Sequence, residues 1–304
     1  MKYLKHKFFF DVHPPLGKLL FASVFKWVGY EGDFSFATIG LEYEPDVPYV
    51  KMRILSASFG AMLAPFAFIS LQSAGFSLSS SVLATLLVVL DSALTLQFRF
   101  ILLDSFLVCF IAGTACFWIR FQSRNEGIHF GFGWFLDLFL VGVFLGLTNS
   151  VKSIGLFTTA WIGFRTLLDL YSMLSDTRIG VFRFIGHFLA RAFCLILVPL
   201  AIYLACFYVH FEILTHSGPG DNMMSLDFQK GLIGNANRVA NVQEVGMGSV
   251  ISLKHLNSDN VFLQSTHQTY PAGSRHHQIT GTFIRDGDCR WVVYPSDKFI
   301  SDGQ

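Results

Sequence analysis

With 304 residues, 52% of them apolar, only 14% charged, and a mean hydropathy of +0.50, the chain is too apolar for a soluble globular enzyme and reads as a membrane protein. A net charge of +1 without any dense Lys/Arg run excludes the electrostatic footprint of a nucleic-acid binder. Cys109, Cys116, Cys194 and Cys206 stand in apolar stretches and Cys289 stands alone in a polar tail, so no cysteine spacing points to a metal site.

The first informative stretch is FFFDVHPPLGK, residues 8–18. Pro14 and Pro15 fix φ and disfavour helix in the residue before each, which predicts an extended run over Val12, His13 and Pro14 with Asp11 and His13 on the same side. An isolated D-x-H pair also serves as a plain local turn with a solvated histidine, and the residues alone leave both uses open. LGKLLFASVFKWVGY then sets Leu16, Leu20, Val24 and Trp27 or Val28 along one stripe with Lys18 and Lys26 off it, the pattern of a helix lying in a membrane interface. The Gly- and Pro-broken, carboxylate-rich stretch 30–50 reads as an ordered loop leading into the first span.

About 20 apolar residues are needed to cross a bilayer core, and six stretches qualify: roughly 51–71, 78–97, 100–120, 133–149, 153–171 and 188–211. An even number of spans puts residues 1–50 and the polar tail from about 212 on one side. Arg120 and Arg124 flank one connection and Arg165, Arg178, Arg183 and Arg191 another, which makes the opposite face cytoplasmic and the terminal segments lumenal or extracellular. MKYLKHKFFF is too short to be a secretory signal, so nothing in residues 1–50 accounts for their delivery across the membrane. Ionisable groups near hydrocarbon need a partner or a task, which singles out Arg53 at the start of the first span, Arg99 in the tight turn five residues before Asp104, and Lys152 between the fourth and fifth spans. Asp91 and Asp137 fall inside spans, where packing against polar partners explains them as well as chemistry does.

FFFDVHPPLGKLLFA, IGLEYEPDVPYVKMRILSASFGA, LTLQFRFILLDSFLV, LTNSVKSIGLFT and YVHFEILTHSGPGDNMMSLDFQ, in that order, resemble the protein O-mannosyltransferases. GSVISLKHLNSDNVFLQSTHQTYPAGSRHHQITG is similar to the first of that family's MIR repeats, which build a lumenal β-trefoil. DVPYVKMR and FEILTHSGPGD most resemble the branch holding the fungal fourth-subfamily and animal type-one enzymes. The resemblance covers essentially the whole chain. It implies an α-helical polytopic membrane protein of the GT-C type with the beginning of a lumenal β-trefoil: a loop with an interfacial helix over 1–50, a transmembrane domain of about six helices over 51–211, a linker over 212–248, and a partial MIR domain over 249–304, only locally folded because one repeat cannot bury its apolar side alone.

The implied activity is transfer of mannose from dolichyl phosphate mannose to Ser or Thr hydroxyls of secretory proteins in the endoplasmic reticulum, by a chain that pairs with a family member. The reaction needs a carboxylate to take the hydroxyl proton and cations for the departing lipid phosphate, with no nucleotide loop, resident cofactor or metal. Family members carry an Asp-Glu pair in a segment resembling FDExHFG ahead of the stretch that here reads YLKHKFFFDVHPP. The resemblance therefore implies that this sequence starts after the catalytic pair and stops inside the first repeat, as a truncated representation of the enzyme or as an inactive short isoform that partners a full-length enzyme. Within the chain it implies Arg53 in VPYVKMR as a lipid-phosphate ligand whose guanidinium fork suits phosphate oxygens, Lys152 as a second one, and Arg99 as an ion-pair partner of Asp104 with phosphate contact as its second role. Asp11 and His13 become candidates for acceptor or sugar contacts, His13 standing equally for a hydrogen bond inside the loop. His276 and His277, adjacent on a strand, point to opposite faces and form no chelate. A transporter is disfavoured by the lack of internal repeats.

Overall fold

The computed structural model describes residues 1–34, 38, 40–125, 130–235, 245–255 and 261–295, and the chain divides into two compact units, Met1–Thr215 and His216–Gln304. The first is helical: α1 (Leu16–Trp27), α2 (Tyr49–Ala61), α3 (Leu63–Ser73), α4 (Leu78–Leu90), α5 (Ser92–Gln97), α6 (Asp104–Asn125), α7 (Phe132–Val151), α8 (Leu156–Ser175), α9 (Val181–Ala192) and α10 (Val198–Ile213). Among the described residues four stretches are long and apolar enough to cross a membrane: Tyr49–Ser73, Asp104–Asn125, Phe132–Val151 and Val181–Ile213. This is a multi-pass membrane protein.

Several breaks have local chemical causes. Pro65 lacks the N–H that would reach the Ala61 carbonyl, and α2 gives way to α3 at Met62. Ser77 caps α4 by accepting from the Ser80 amide at 3.2 Å. The stretch expected as a second span, 78–97, is divided at Asp91, which takes an extended conformation and accepts the Leu94 amide at 2.7 Å, closing α4 and opening α5. The fifth expected span is the 20-residue helix α8, whose Arg165 and Asp169 keep it outside the four apolar stretches. Between α9 and α10 the chain widens into a π-helical turn over Phe193–Leu197, where Pro199 has no N–H for the Leu195 carbonyl.

The core runs through α6 and α7. Phe106, Phe110, Cys116 and Val151 are buried with Met52 and Phe66 in one cluster, to which Leu16, Leu20 and Val24 of α1 add their stripe as the sequence predicts; Trp27 remains exposed. On α7 the pair Gly142 and Gly146 lets other backbone come close: a Cβ on Gly142 would collide with the Cys194 carbonyl of the π-turn, and one on Gly146 would meet Pro199 Cα at 3.0 Å and Ile202 Cβ at 2.9 Å. Gly142→Ala should cost about 1–3 kcal/mol by overpacking. It should show as a lowered Tm in detergent, while Gly163→Ala, with open space at its Cβ position, should leave Tm unchanged.

The second unit holds α11 (Leu226–Gly231) and two small antiparallel pairs: β1 (Val250–Ile251) with β4 (Trp291–Val292), and β2 (Phe262–Thr269) with β3 (His277–Thr282). Its best-satisfied polar centre is the buried Asp221, which receives the Ser217 hydroxyl at 2.5 Å, the Gly218 amide at 3.0 Å and the Asn235 amide at 2.8 Å, shaping the HSGPGD loop. His277 Nδ1 lies 3.0 Å from the Thr266 carbonyl. Residues 256–260 and 296–304 of the expected MIR segment, 236–244 of the expected linker, and 35–37 and 39 of the expected first loop lie outside the described residues.

Candidate functional site

One face of the helical unit gathers residues from four distant parts of the chain. Tyr3 Oη meets His210 Nδ1 at 2.7 Å, and His6 Nδ1 meets the Ile213 carbonyl at 2.8 Å, so the first residues are held at the end of α10. Burial, and after it the Asp11 charge, raises the Tyr3 phenol well above its ordinary value, which keeps it a donor. Phe8, Phe9 and Phe211 enclose the His210 ring edge-on.

DVHPPLGK is a turn and not the expected extended run. The chain bends at Val12 and His13, Asp11 accepts the His13 amide at 3.0 Å, and the Asp11 carboxylate pairs with Lys18 in the first turns of α1. The closed turn wins because one short side chain satisfies both a backbone amide and a helical lysine. The same contacts remove Asp11 as a free base. Its partial burial works to raise the carboxyl, but the Lys18 ammonium and the His13 amide outweigh this and hold it below the usual carboxylate range. The lowered group stabilises the fold above the unfolded value of about 4 and loses that contribution as pH falls through the lower folded value. Asp11→Asn should therefore lower Tm at pH 7 and make no difference at the acid end, about pH 2; an equal loss at both would show that the ion pair is not what holds the turn.

Gly17 places this turn. A Cβ there would meet Leu103 Cδ2 at 2.6 Å, Phe106 at 3.5 Å and Val151 at 3.5 Å, so α1 docks where α6 begins and α7 ends. The residues next in sequence, Asp104 and Lys152, form an ion pair of 2.7 Å. This corrects the expected Arg99–Asp104 pair: Asp104, in the first turn of α6, takes the lysine that ends α7, because helix packing brings them together while the Phe98–Leu102 turn carries Arg99 outward. Lys152 consequently has its charge matched by a carboxylate. Beside the pair, Pro14, Asn149, Ser153, Thr159 and Tyr203 line a cavity of about 370 Å³, in which Asn149 and Thr159 bond each other at 2.9 Å.

Arg53 and Arg99 lie apart from these pairs. Both are exposed, and among the described residues neither has an ion-pair partner; the Arg53 guanidinium lies 5.4 Å from the Tyr49 ring. Arg99 borders an apolar hollow of about 530 Å³ between the α2–α3 and α4–α5 helices, walled by Ala57, Gly60 and Ala61 on one side and Val88 and Leu94 on the other. Arg53 stands one helical turn before Ala57 on α2, outside the residues that line the hollow.

The opposite face, where α6 ends and α7 begins, carries a second polar cluster. Asp137 is fully buried between Arg120 at 3.1 Å and Arg124 at 2.6 Å, Gln122 bonds Asp169 at 2.6 Å, and the Trp134 indole donates to Asn125 at 3.0 Å. Asp137 is thus structural. Among the described residues no group of three or more His, Cys, Asp or Glu side chains could hold a metal ion.

Residues 1–215 match the family model described as "Dolichyl-phosphate-mannose-protein mannosyltransferase". The chain belongs to the protein O-mannosyltransferase family. Curated members include dolichyl-phosphate-mannose–protein mannosyltransferase 2 of Candida albicans, 39% identical over 95% of this chain and 38% of its own length, and its mannosyltransferase 1, 36% identical over 98% and 34%. Protein O-mannosyl-transferase 2 of Danio rerio is 37% identical over 97% of this chain and 39% of its own. The chain thus spans a little over a third of the length of these relatives. Among solved structures, a chain of the S. cerevisiae protein O-mannosyltransferase Pmt1-Pmt2 complex bound to the sugar donor superposes with a TM-score of 0.83 at 32% identity, over 97% of this chain and 40% of that one. The helical mannosyltransferase fold is therefore shared. The fourth-subfamily enzyme of Schizosaccharomyces pombe is 37% identical, so identity does not separate the branches of the family. The signals that sequence reading missed are Lys18, which lies on the polar side of α1, the Tyr3–His210 pair, 207 residues apart, and the Gly142–Gly146 spacing, which was legible as a small-residue packing motif.

Proposed function

We propose that this protein transfers mannose from dolichyl phosphate mannose to Ser or Thr hydroxyls of secretory-pathway proteins, at the lumenal face of the endoplasmic reticulum membrane and in a dimer with a family member. Six membrane crossings, with α4–α5 divided at Asp91 and α8 less apolar, and a tail that begins a MIR trefoil belong to the same reading. The observation that carries it is Arg99 at the border of an apolar hollow walled by α2, with the exposed Arg53 at the start of that same helix, on a chain of this family. A polyprenyl phosphate needs both parts: a groove for its chain and cations for its phosphate.

Arg53 takes the phosphate oxygens through its planar fork, and Arg99 supports the charge that grows as the phosphate leaves. Lys152, matched by Asp104, fixes the α6–α7 corner, and the cavity at Pro14 and Asn149 receives the acceptor segment. His13 precedes Pro14, which lines that cavity, and remains a candidate for acceptor or sugar contact.

The test is transfer itself: membranes expressing the protein in cells lacking other family members, given a Ser/Thr-rich peptide and either dolichyl phosphate mannose or a mannose nucleotide. Alkali-labile mannosyl peptide should form from the lipid donor alone. Product formed directly from the nucleotide, or from neither donor, would overturn the reading.

A further inference from the structure

An apolar cavity of about 610 Å³ in the helical unit is distinct from the hollow at Arg99. It lies between α1 and α10, where Leu19 and the outer edges of Leu16 and Leu20, which also pack on the core, face Ile202, Val209 and Ile213 across open space. Each set follows a helical stripe, so two apolar faces point at one another without packing together. A volume of this size falls within the range of about 300–1,000 Å³ typical of ligand sites, and with such apolar walls water is a poor occupant. Ala205 and Val209 are exposed on the α10 side, so the groove is open along α10. Its rim carries one cation, Lys26, which is exposed and makes no ion pair among the described residues.

We propose that this groove is a site for an anionic glycerophospholipid, one acyl chain lying between α1 and α10 and the headgroup phosphate meeting Lys26. The charge decides the class of lipid: an apolar groove alone accepts any chain, whereas an unmatched ammonium at its mouth favours an anionic headgroup over a zwitterionic one. The lipid holds the interfacial helix against α10, where the Tyr3 and His6 contacts already tie the preceding residues. It leaves the proposed donor hollow, bordered by Arg99, untouched.

The experiment is native mass spectrometry of the full protein in detergent after exposure to equal amounts of phosphatidylserine, phosphatidylcholine and dolichyl phosphate. Wild type should retain one phosphatidylserine at least fivefold in excess of phosphatidylcholine. Ala205→Trp, which fills an exposed wall of the groove, should lose both phospholipids, and Val209→Trp serves if the first variant does not fold. Lys26→Gln should retain phospholipid without headgroup preference, and Arg53→Ala should retain it as wild type does. The proposal fails if filling the groove leaves phosphatidylserine retention unchanged. It also fails if the groove-dependent species is dolichyl phosphate, which would make this the donor groove, or if wild type retains no lipid, which would assign the groove to protein.

Discussion

Replacing Arg53 with alanine should lower mannosyl transfer by about 10²–10³-fold, the usual effect of removing one preorganised donor from a developing charge. Arg53 is exposed and makes no ion pair among the described residues, so the fold loses little and Tm should stay within a degree or two of wild type. Arg53→Lys should recover only part of the rate, because an ammonium supplies charge without the bidentate fork. Arg99→Ala should cost less, about tenfold, since the proposal gives it a supporting part beside Arg53. Steady-state transfer with dolichyl phosphate mannose as the varied substrate measures all three. If Arg53→Ala retains full kcat/KM, the phosphate is held elsewhere, and Lys152 would have to leave Asp104 to hold it.

The largest stability effect belongs to the other face. Asp137 is fully buried, and among the described residues its charge is balanced by Arg120 and Arg124, which reach it from the adjacent helix. Replacing both arginines with methionine leaves a buried carboxylate without a counter-charge, which costs about 3–5 kcal/mol. That is a large part of a membrane domain's margin, and the double variant should be recovered in low yield with a Tm lowered by many degrees. Either arginine alone should be milder, because the other still pairs. Adding Asp137→Leu to the double variant should restore most of the loss, since removing the whole charge group also removes its desolvation cost. A triple variant as unstable as the double one would show that the arginines act through packing, for instance Arg120 over the Phe117 ring at 5.6 Å.

What the sequence made legible was set by range. Apolar runs marked the four long spans, and the α1 stripe marked the helix that docks on the core, because both signals lie within a few residues. The Asp91 break and the Asp11 turn depend on a carboxylate reaching an amide two or three residues on; a capping aspartate inside an apolar run looks like any intramembrane charge until its backbone is seen. Pairings across helices were the least legible. Arg99 is five residues from Asp104 and Lys152 is 48, yet the lysine makes the bond, because α6 and α7 pack antiparallel and put one helix's start against the other's end. Sequence proximity was a poor guide there, and the same holds for Tyr3 with His210. For Arg53 and Arg99, sequence supplied the residues and the expected ligand, and structure supplied the apolar hollow that Arg99 borders.

The measurement that reaches the central claim most directly is binding of dolichyl phosphate, the donor without its sugar, to the protein in lipid nanodiscs, which separates recognition from turnover. Wild type should bind saturably, Arg53→Ala should weaken binding at least tenfold, and Arg53→Lys should fall between them. Equal affinity for wild type and Arg53→Ala would contradict the account, since the lipid phosphate would then be recognised without the arginine on which the proposed site depends.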